Sequence, residues 1–207
     1  MNLQAIDDSF FSLVQELKSN NLITVESYKY PSPAHEKDKK KLAGSDLPGS
    51  IKELLSSLNG FYLRWNSKNE STDCIGRLKI LSASEIFLER KGVVYFDESD
   101  PALKHFYPVD FFADESCCGI FYGSKDTSLY YYQFSSSQEP QRLGIDIFKY
   151  IEIGMMAKCY SYWPLILLLY QQDGDHEMVN RFKTDMQILF KEFNFENWIK
   201  NYLSLKK

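Results

Sequence analysis

The feature that most constrains the fold is a change of hydrophobic period within residues 107–163. Two short runs, 117–123 and 128–134, are rich in β-branched and aromatic residues and are separated by the turn-prone sequence Ser-Lys-Asp-Thr. This composition favours two paired strands, so a β-hairpin is predicted. From residue 146 onward the apolar residues instead recur at helical spacings, which predicts a helix with one face on the sheet.

The predicted helix covers about residues 146–162. Its apolar face consists of Phe148, Ile151, Met155 and Tyr162. Pro164 has no amide hydrogen and disfavours helical geometry at the residue before it, so the helix is expected to end or kink there. The apolar run 165–170 follows at once and is predicted to pack into the same core.

Hydrophobic periodicity predicts further helices and strands on both sides of this segment. A capping box formed by Ser82 and Glu85 is expected to start a helix that carries residues 86–88 and stops near Gly92. The charged run 35–41 is predicted to be a solvated loop, with a basic contact for an acidic partner as the alternative. The remaining predictions are an irregular stretch with one helical turn at 93–105, a helix at 3–18, a strand at 22–30, a short helix at 47–58, paired strands at 61–65 and 74–81, and two C-terminal helices at about 175–205.

The composition is that of a globular protein, with 44% hydrophobic and 25% charged residues and a net charge of −4. Such a charge gives no general attraction to nucleic acid or to anionic membranes. The longest apolar run, 163–170, is far shorter than the ~20 residues that a membrane helix needs. The first residues contain neither a basic region nor an apolar run, so no signal peptide is predicted and the expected location is a reducing cytoplasm.

A search for catalytic or metal-binding patterns yields few candidates. The glycines form no phosphate-binding loop, so no cofactor is expected. The cysteines at 74, 117, 118 and 159 lack metal-ligand spacing and are predicted to be buried and reduced, with the adjacent pair on opposite faces of a strand. A nucleophilic Cys117 or Cys118 assisted by His105 or His176 is an alternative. The turn at 173–176 is interpreted as a loop with a helix cap at Asp175, and a divalent ion on Asp173, Asp175 and His176 is the alternative.

Acidic residues dominate the segment 93–119, where only Lys104 and His105 oppose them. A negative surface of this kind can attract a basic partner and raise the association rate. A solvated loop is the alternative. The candidate partner-binding residues are Asp97, Glu98, Asp100, Asp114 and Glu115, with Asp110 in the same cluster.

Residues 47–165 contain three blocks whose order and spacing are informative. The first runs from Leu-Pro at 47–48 through Leu-Asn-Gly at 58–60 to a strand ending at Trp65, and the second is the strand and capping box at 74–85. The third holds Tyr-Pro-Val-Asp-Phe-Phe at 107–112, Glu115, the strands 119–122 and 129–134, and the helix 148–163. Together these blocks resemble the SUKH superfamily, which includes the yeast cell-wall assembly regulator and many bacterial immunity proteins.

This resemblance implies an α+β fold with a twisted, mainly antiparallel sheet flanked by helices. The whole chain, 1–207, is then expected to be one domain, with its core at about 47–165 and the C-terminal helices as an extension. The resemblance also implies a binding protein without enzymatic activity, whose partner is another protein. The first hypothesis is an immunity protein that blocks a secreted nuclease or deaminase toxin, for which an acidic surface is suitable because many such toxins are basic. A regulatory interaction module and an enzyme of unrecognised type are the alternatives.

Overall fold

The computed structural model describes residues 2–95, 101–134 and 139–206. These residues form seven strands and eight helices. In chain order they are α1 (Leu3–Ser19), β1 (Ile23–Lys29), α2 (Glu36–Ala43), α3 (Gly49–Ser57), β2 (Phe61–Ser67), β3 (Ile75–Ile80), α4 (Pro101–Lys104), β4 (Phe106–Asp110), β5 (Ser116–Phe121), β6 (Tyr130–Gln133), β7 (Gln141–Arg142), α5 (Ile147–Met156), α6 (Trp163–Gln172), α7 (Glu177–Leu189) and α8 (Phe195–Leu205).

The strands form one open sheet in the order β1-β2-β3-β4-β5-β6-β7. Every neighbouring pair is antiparallel. The α+β prediction, with an antiparallel sheet flanked by helices, is therefore confirmed. Within the described residues, no helix combines the length and apolar character needed to cross a bilayer.

Two hydrophobic clusters lie on opposite faces of the sheet. The larger hydrophobic cluster takes side chains from both ends of the chain, from Ile6 in α1 to Tyr202 in α8, and includes the fully buried Trp65 and Trp163. A smaller cluster on the other face is centred on Phe106 and Tyr132. Both tryptophans are therefore core residues of the larger cluster.

The central hairpin is present as predicted, with β5 and β6 paired from Ser116–Gln133 to Gly119–Tyr130. Its adjacent cysteines are on opposite faces: Cys118 is in the larger cluster and Cys117 is in the smaller one. All four cysteines are free and buried, which confirms the prediction of reduced thiols. Strand β4, which includes Pro108, was not predicted, although it pairs with β5 over most of its length.

Phe121, at the end of β5, is only half-buried and packs against the smaller cluster. Its ring contacts Phe106 and Tyr130 edge-on, with centroids 5.4 and 5.0 Å away. Phe121→Ala is therefore expected to lower the free energy of unfolding by about 1–2 kcal/mol, less than the ~3–5 kcal/mol of a fully buried phenylalanine. Urea unfolding measures this difference, and a loss as large as that of Phe112→Ala, at a fully buried site, would contradict the assignment.

The helix predicted to run to residue 162 ends at Met156. Lys158, Cys159 and Tyr162 adopt left-handed backbone conformations, which a continuous right-handed helix does not allow. Helix α6 then begins at Trp163 and has Pro164 in its first turn, where a missing amide hydrogen costs nothing. The proline therefore starts a helix instead of ending one. The predicted apolar face is also shifted, since Phe148 is only partly buried whereas Tyr150 is fully buried.

Two local predictions of secondary structure were wrong: one segment predicted to be a loop is a helix, and one segment predicted to be a helix forms turns. The charged run begins helix α2, which has Glu36 and Asp38 in its first turn and Lys40 and Lys41 in its last turn. This arrangement complements the helix dipole and stabilises a segment that composition alone assigns to a loop. Residues 86–88, by contrast, form only turns.

The capping-box hydrogen bonds are nevertheless made. The Ser82 amide donates to the Glu85 carboxylate at 2.8 Å, and the Glu85 amide donates to the Ser82 hydroxyl at 3.3 Å. The helix does not continue because the Glu89 carboxylate accepts hydrogen bonds from the amides of Arg90 and Lys91, which turns the chain.

The sheet is least regular between β3 and β4, where the only paired residues are Ile80 and Asp110. The Asp110 side chain is fully buried and accepts hydrogen bonds from the Lys79 amide at 2.7 Å and the Tyr150 hydroxyl at 2.8 Å. Further along β3, the Arg77 amide donates to the Cys159 carbonyl at 2.7 Å. The Asp110 carboxylate and the α5–α6 connection therefore accept hydrogen bonds from the β3 amides that β4 leaves unpaired.

Candidate interaction surface

Strands β1 to β3 carry an uncovered outer face. In β2 the buried Phe61, Leu63 and Trp65 alternate with outward side chains, as expected for a sheet with one buried face. Pairing to the neighbouring strands aligns the outward side chains in rows across the sheet. We refer to the outward set as the open face, and it consists of Lys29, Tyr62, Arg64, Asn66, Ile75, Arg77 and Lys79.

Cationic side chains are concentrated on the open face. Tyr62 lies between Lys29 on β1 and Lys79 on β3, and Arg64 lies directly opposite Arg77. Like charges in directly opposed positions destabilise an antiparallel pair. The repulsion between Arg64 and Arg77 therefore destabilises the open face locally, and an anionic group bound there reduces this repulsion.

Three carboxylates partly balance these charges. Glu26 binds Arg64 at 2.7 Å, and Asp114 binds Arg77 at 2.8 Å. The Arg77 guanidinium lowers the pKa of Asp114, although the Asp114 side chain is 90% exposed. Ion pairs as exposed as this one contribute little to stability, so Asp114 can exchange partners at low cost.

Glu85 is the third carboxylate, and it is held by Ser82. Burial opposes its charged form, but hydrogen bonds from Ser82 and the charges of Lys79 and Lys29 outweigh this effect and lower its pKa. Its carboxylate also accepts a hydrogen bond from the Ser82 hydroxyl at 2.7 Å. Glu85 is therefore anchored within the turn and is less free to move than Asp114.

A groove of about 270 Å³ borders the open face on the side of β4. Arg77, Lys79 and Arg90 are its cationic lining residues. Glu85 and Asp114 also line it, and we call three of its apolar lining residues the hydrophobic wall: Leu88, Val93 and Phe111. The groove therefore combines positive charge with an apolar surface, as protein-binding clefts often do.

Arg90 has incomplete hydrogen bonding. One of its terminal nitrogens donates to the Glu85 carbonyl at 2.7 Å, and its guanidinium lies 5.1 Å from the centre of the Phe111 ring. Its Nε is buried and has no hydrogen-bond partner in the described part of the chain. Burial lowers the pKa of Arg90, as expected for a positive charge that is partly removed from water.

Exposed apolar side chains cluster on the same side of the molecule. Six large hydrophobic residues are exposed in the described segments. Tyr62 and Ile75 belong to the open face, at 37% and 41% exposure, and Leu88 and Val93 belong to the hydrophobic wall, at 55% and 43%. Four of the six therefore lie on the open face or in the groove beside it, which is a pattern of interaction surfaces.

The predicted acidic surface is only partly described. Asp97, Glu98 and Asp100 lie outside the described residues. Asp114 lies at the rim of the open face as the ion-pair partner of Arg77. Glu115 is exposed and accepts a hydrogen bond from the Tyr162 hydroxyl, which raises the pKa of that phenol together with burial.

Asp110 is not a surface residue, contrary to its place in the predicted acidic cluster. It is fully buried at the junction of β3 and β4. Burial raises its pKa to about 6, although the Lys79 amide and the Tyr150 hydroxyl both favour the charged form. Asp110 therefore has a structural role in the sheet.

The thiol and histidine candidates also have structural environments. Burial raises the pKa values of Cys117 and Cys118 well above the usual range, which disfavours the thiolate needed for nucleophilic attack. His105 is exposed; its backbone carbonyl accepts a hydrogen bond from the Tyr122 amide, and its amide donates to the Ala102 carbonyl. His176 caps α7, where its Nδ1 accepts from the Met178 amide at 3.2 Å. The predicted helix cap is thus His176 and not Asp175.

The alternative metal site at the same turn has no support in the geometry. Asp173 accepts a hydrogen bond from the Asp175 amide at 3.0 Å, so its carboxylate stabilises the turn. Across the residues that the structure describes, no three His, Cys, Asp or Glu side chains are grouped in a way that could hold a metal ion.

Sequence reasoning missed the open face because it examined the strands for their buried residues. The alternation of Phe61-Tyr62-Leu63-Arg64 already places Tyr62 and Arg64 outward. Arg64 lies opposite Arg77 because of the register between β2 and β3, and the sequence of neither strand alone predicts that register. Arg90 was missed because a helix was expected in the turn that positions it.

Comparison with known proteins finds no matching protein-family model, no matching curated protein and no matching solved structure. The resemblance to the SUKH superfamily therefore remains a prediction from the sequence motifs.

Proposed function

We propose that this protein is a binding protein without catalytic activity that neutralises a cognate toxin domain, as an immunity protein does. The observation that carries the proposal is the grouping of exposed apolar and charged side chains on the open face and its groove. The order of motifs along residues 47–165, which resembles the SUKH superfamily, supports the immunity role specifically. The partner is a protein, and the expected site of action is the cytoplasm of the producing cell.

The open face has properties that suit rapid and specific docking. Its backbone is part of a paired antiparallel sheet, so little conformational entropy is lost when a partner binds. Its arginines provide planar donors for carboxylates, and Tyr62 provides a rigid amphipathic contact. Charged residues around apolar ones also steer the encounter between two proteins.

The test is protection of cells from a toxin encoded by the neighbouring gene, combined with binding of the purified proteins. Arg77→Glu is expected to abolish protection and to weaken binding about 100-fold or more, because one buried interfacial charge contact is lost and a repulsive charge replaces it. The substitution loses the exposed ion pair with Asp114 but sets an opposite charge across from Arg64, so the protein is expected to stay folded. Circular dichroism and thermal unfolding check the fold.

Lys200→Glu is the matched control, because Lys200 is exposed on α8. It changes the net charge equally and is expected to leave protection and affinity unchanged. Association of the wild-type complex is expected to slow as salt is added. Equal protection by the Arg77→Glu and wild-type proteins would exclude the open face as the docking surface. Several weak partners without toxin protection would instead favour the regulatory module.

A further inference from the structure

Cationic side chains outnumber carboxylates along the groove beside the open face, where Arg77, Lys79 and Arg90 face only Glu85 and Asp114. Lys79 and Arg90 both line it, and neither has a carboxylate within ion-pair distance in the described part of the chain. Both surround Glu85: Arg90 binds its carbonyl at 2.7 Å, and Lys79 acts on its carboxylate electrostatically. Two cations therefore converge on one place in the groove.

A second depression differs from the groove in this respect. It has a volume of about 460 Å³ and is lined by residues of α1, α5 and α8 and of the segments that follow α5 and α7. Its lining residues Glu16 and Lys158 bind each other at 2.7 Å. These two charges neutralise each other within the protein, so this depression gives no electrostatic reason to bind an external ion.

We infer that the groove binds an acidic and partly apolar segment of a protein partner, whose carboxylate contacts Lys79 and Arg90. The inference rests on the proposed function and specifies the chemistry of the partner at that surface. An apolar side chain beside the carboxylate packs on the hydrophobic wall, of which Leu88 and Val93 are already exposed. The partner is therefore acidic at this contact, opposite to the basic partner that the sequence predicted.

The cationic side chains of the groove favour a carboxylate over a neutral group. The Arg90 Nε is a buried donor without a partner in the described residues, so the guanidinium is incompletely hydrogen-bonded within the protein. Arginine binds carboxylates through planar paired hydrogen bonds. Asp114 is exposed enough to release Arg77, which provides a third cation at the groove.

The same charges do not favour nucleic acid. Glu26, Glu85 and Asp114 lie among the cations of the open face and groove, and they repel a continuous line of phosphates. A folded protein surface can place single carboxylates between them. A polyanion therefore becomes an alternative outcome of the experiment.

The experiment measures fluorescence anisotropy of labelled short peptides mixed with the full chain. Three peptides share alternating leucines and differ only in the intervening residue, which is glutamate, glutamine or lysine. Single-stranded oligothymidylate is the polyanion probe. The glutamate peptide is expected to bind at least tenfold more tightly than the other peptides and more tightly than the oligonucleotide.

Arg90→Gln and Lys79→Gln are each expected to weaken binding of the glutamate peptide about tenfold, the loss of one charge-assisted hydrogen bond. Lys200→Gln, which removes the same charge from the distant α8 surface, is expected to leave it unchanged. Equal binding of the three peptides, equal loss in the Lys200 variant, or tighter binding of the oligonucleotide would each overturn the inference.

The toxin assay separates this inference from the proposed function. Protection that persists in Arg90→Gln and Lys79→Gln, without selectivity for the glutamate peptide, would overturn the inference and leave the immunity function standing. Selective binding of the glutamate peptide without any protection would overturn the immunity function and leave the inference standing.

Discussion

Asp110→Asn is expected to remove a large part of the pH dependence of folding. Burial raises the pKa of Asp110 to about 6 in the folded protein, compared with an ordinary value of 3.8. The folded state therefore binds this proton more tightly than the unfolded state does, and the contribution of Asp110 to stability is fully present below pH 3.8. It is lost as the pH rises through 6.

The expected size of this pH effect on stability follows from the pKa shift of Asp110. A difference of about two pKa units corresponds to about 3 kcal/mol. The unfolding free energy of Asp110→Asn, relative to that of the wild type, is therefore expected to increase by about 2 kcal/mol between pH 4 and pH 7.5, since part of the full effect is already lost at pH 4. Asparagine has nearly the same shape, and its carbonyl can still accept the hydrogen bond from the Lys79 amide.

Urea unfolding at several pH values measures the effect, and subtracting the wild-type curve removes the titration of most other groups. Tyr150→Phe is the companion variant, because it removes the hydroxyl that donates to Asp110 and makes the ionised carboxylate still less favourable. Its stability is expected to fall more steeply with pH than that of the wild type. Parallel curves for Asp110→Asn and the wild type would contradict the raised pKa.

Trp65→Ala is expected to lower the free energy of unfolding by about 3–5 kcal/mol, since it empties a fully buried site. The Trp65 ring packs edge-on against Phe190, with centroids 5.9 Å apart, and its Nε1 donates to the Lys158 carbonyl at 2.7 Å. One side chain therefore joins β2 to the α5–α6 connection and to the end of α7. Its loss affects three parts of the fold together.

A double-mutant cycle with Gly76 tests this packing. Gly76 lies directly opposite Trp65 in the sheet, and a Cβ atom at position 76 would be 2.0 Å from the indole Nε1. Gly76→Ala alone is expected to cost about 1–3 kcal/mol through overpacking. In the Trp65→Ala background that cost is expected to vanish, because the ring that causes it is absent. Additive losses in denaturant unfolding would show that the two residues do not share this space.

The fold was predictable where hydrophobic periodicity is local. The strands and helices around Leu63 and Trp198 follow regular alternation or helical spacing, so their existence could be predicted from neighbouring residues. Helix α5 ended early because Lys158 and Cys159 are held in left-handed conformations by contacts with distant strands, such as the bond from Arg77 to Cys159. Tertiary interactions of this kind leave no periodic signal in the sequence.

The candidate site was less predictable for a related reason. Acidic residues near position 110 were assigned to the surface because aspartate is rarely buried, and the bond from Tyr150 that makes burial possible connects residues forty positions apart. The open face depends on which residues of β2 and β3 lie opposite each other. Pairing between strands therefore decided both the role of Asp110 and the position of the cationic cluster.

The irregular junction between β3 and β4 has a consequence for the width of the groove. Lys79 projects from β3 on one side of the junction, and Phe111 directly follows β4 on the other. The distance between Lys79 and Phe111 is therefore set by the Ile80–Asp110 pair and by the hydrogen bond from the Lys79 amide to the Asp110 carboxylate. Substitutions that weaken these contacts would change which ligands fit the groove, without altering any residue that contacts a ligand.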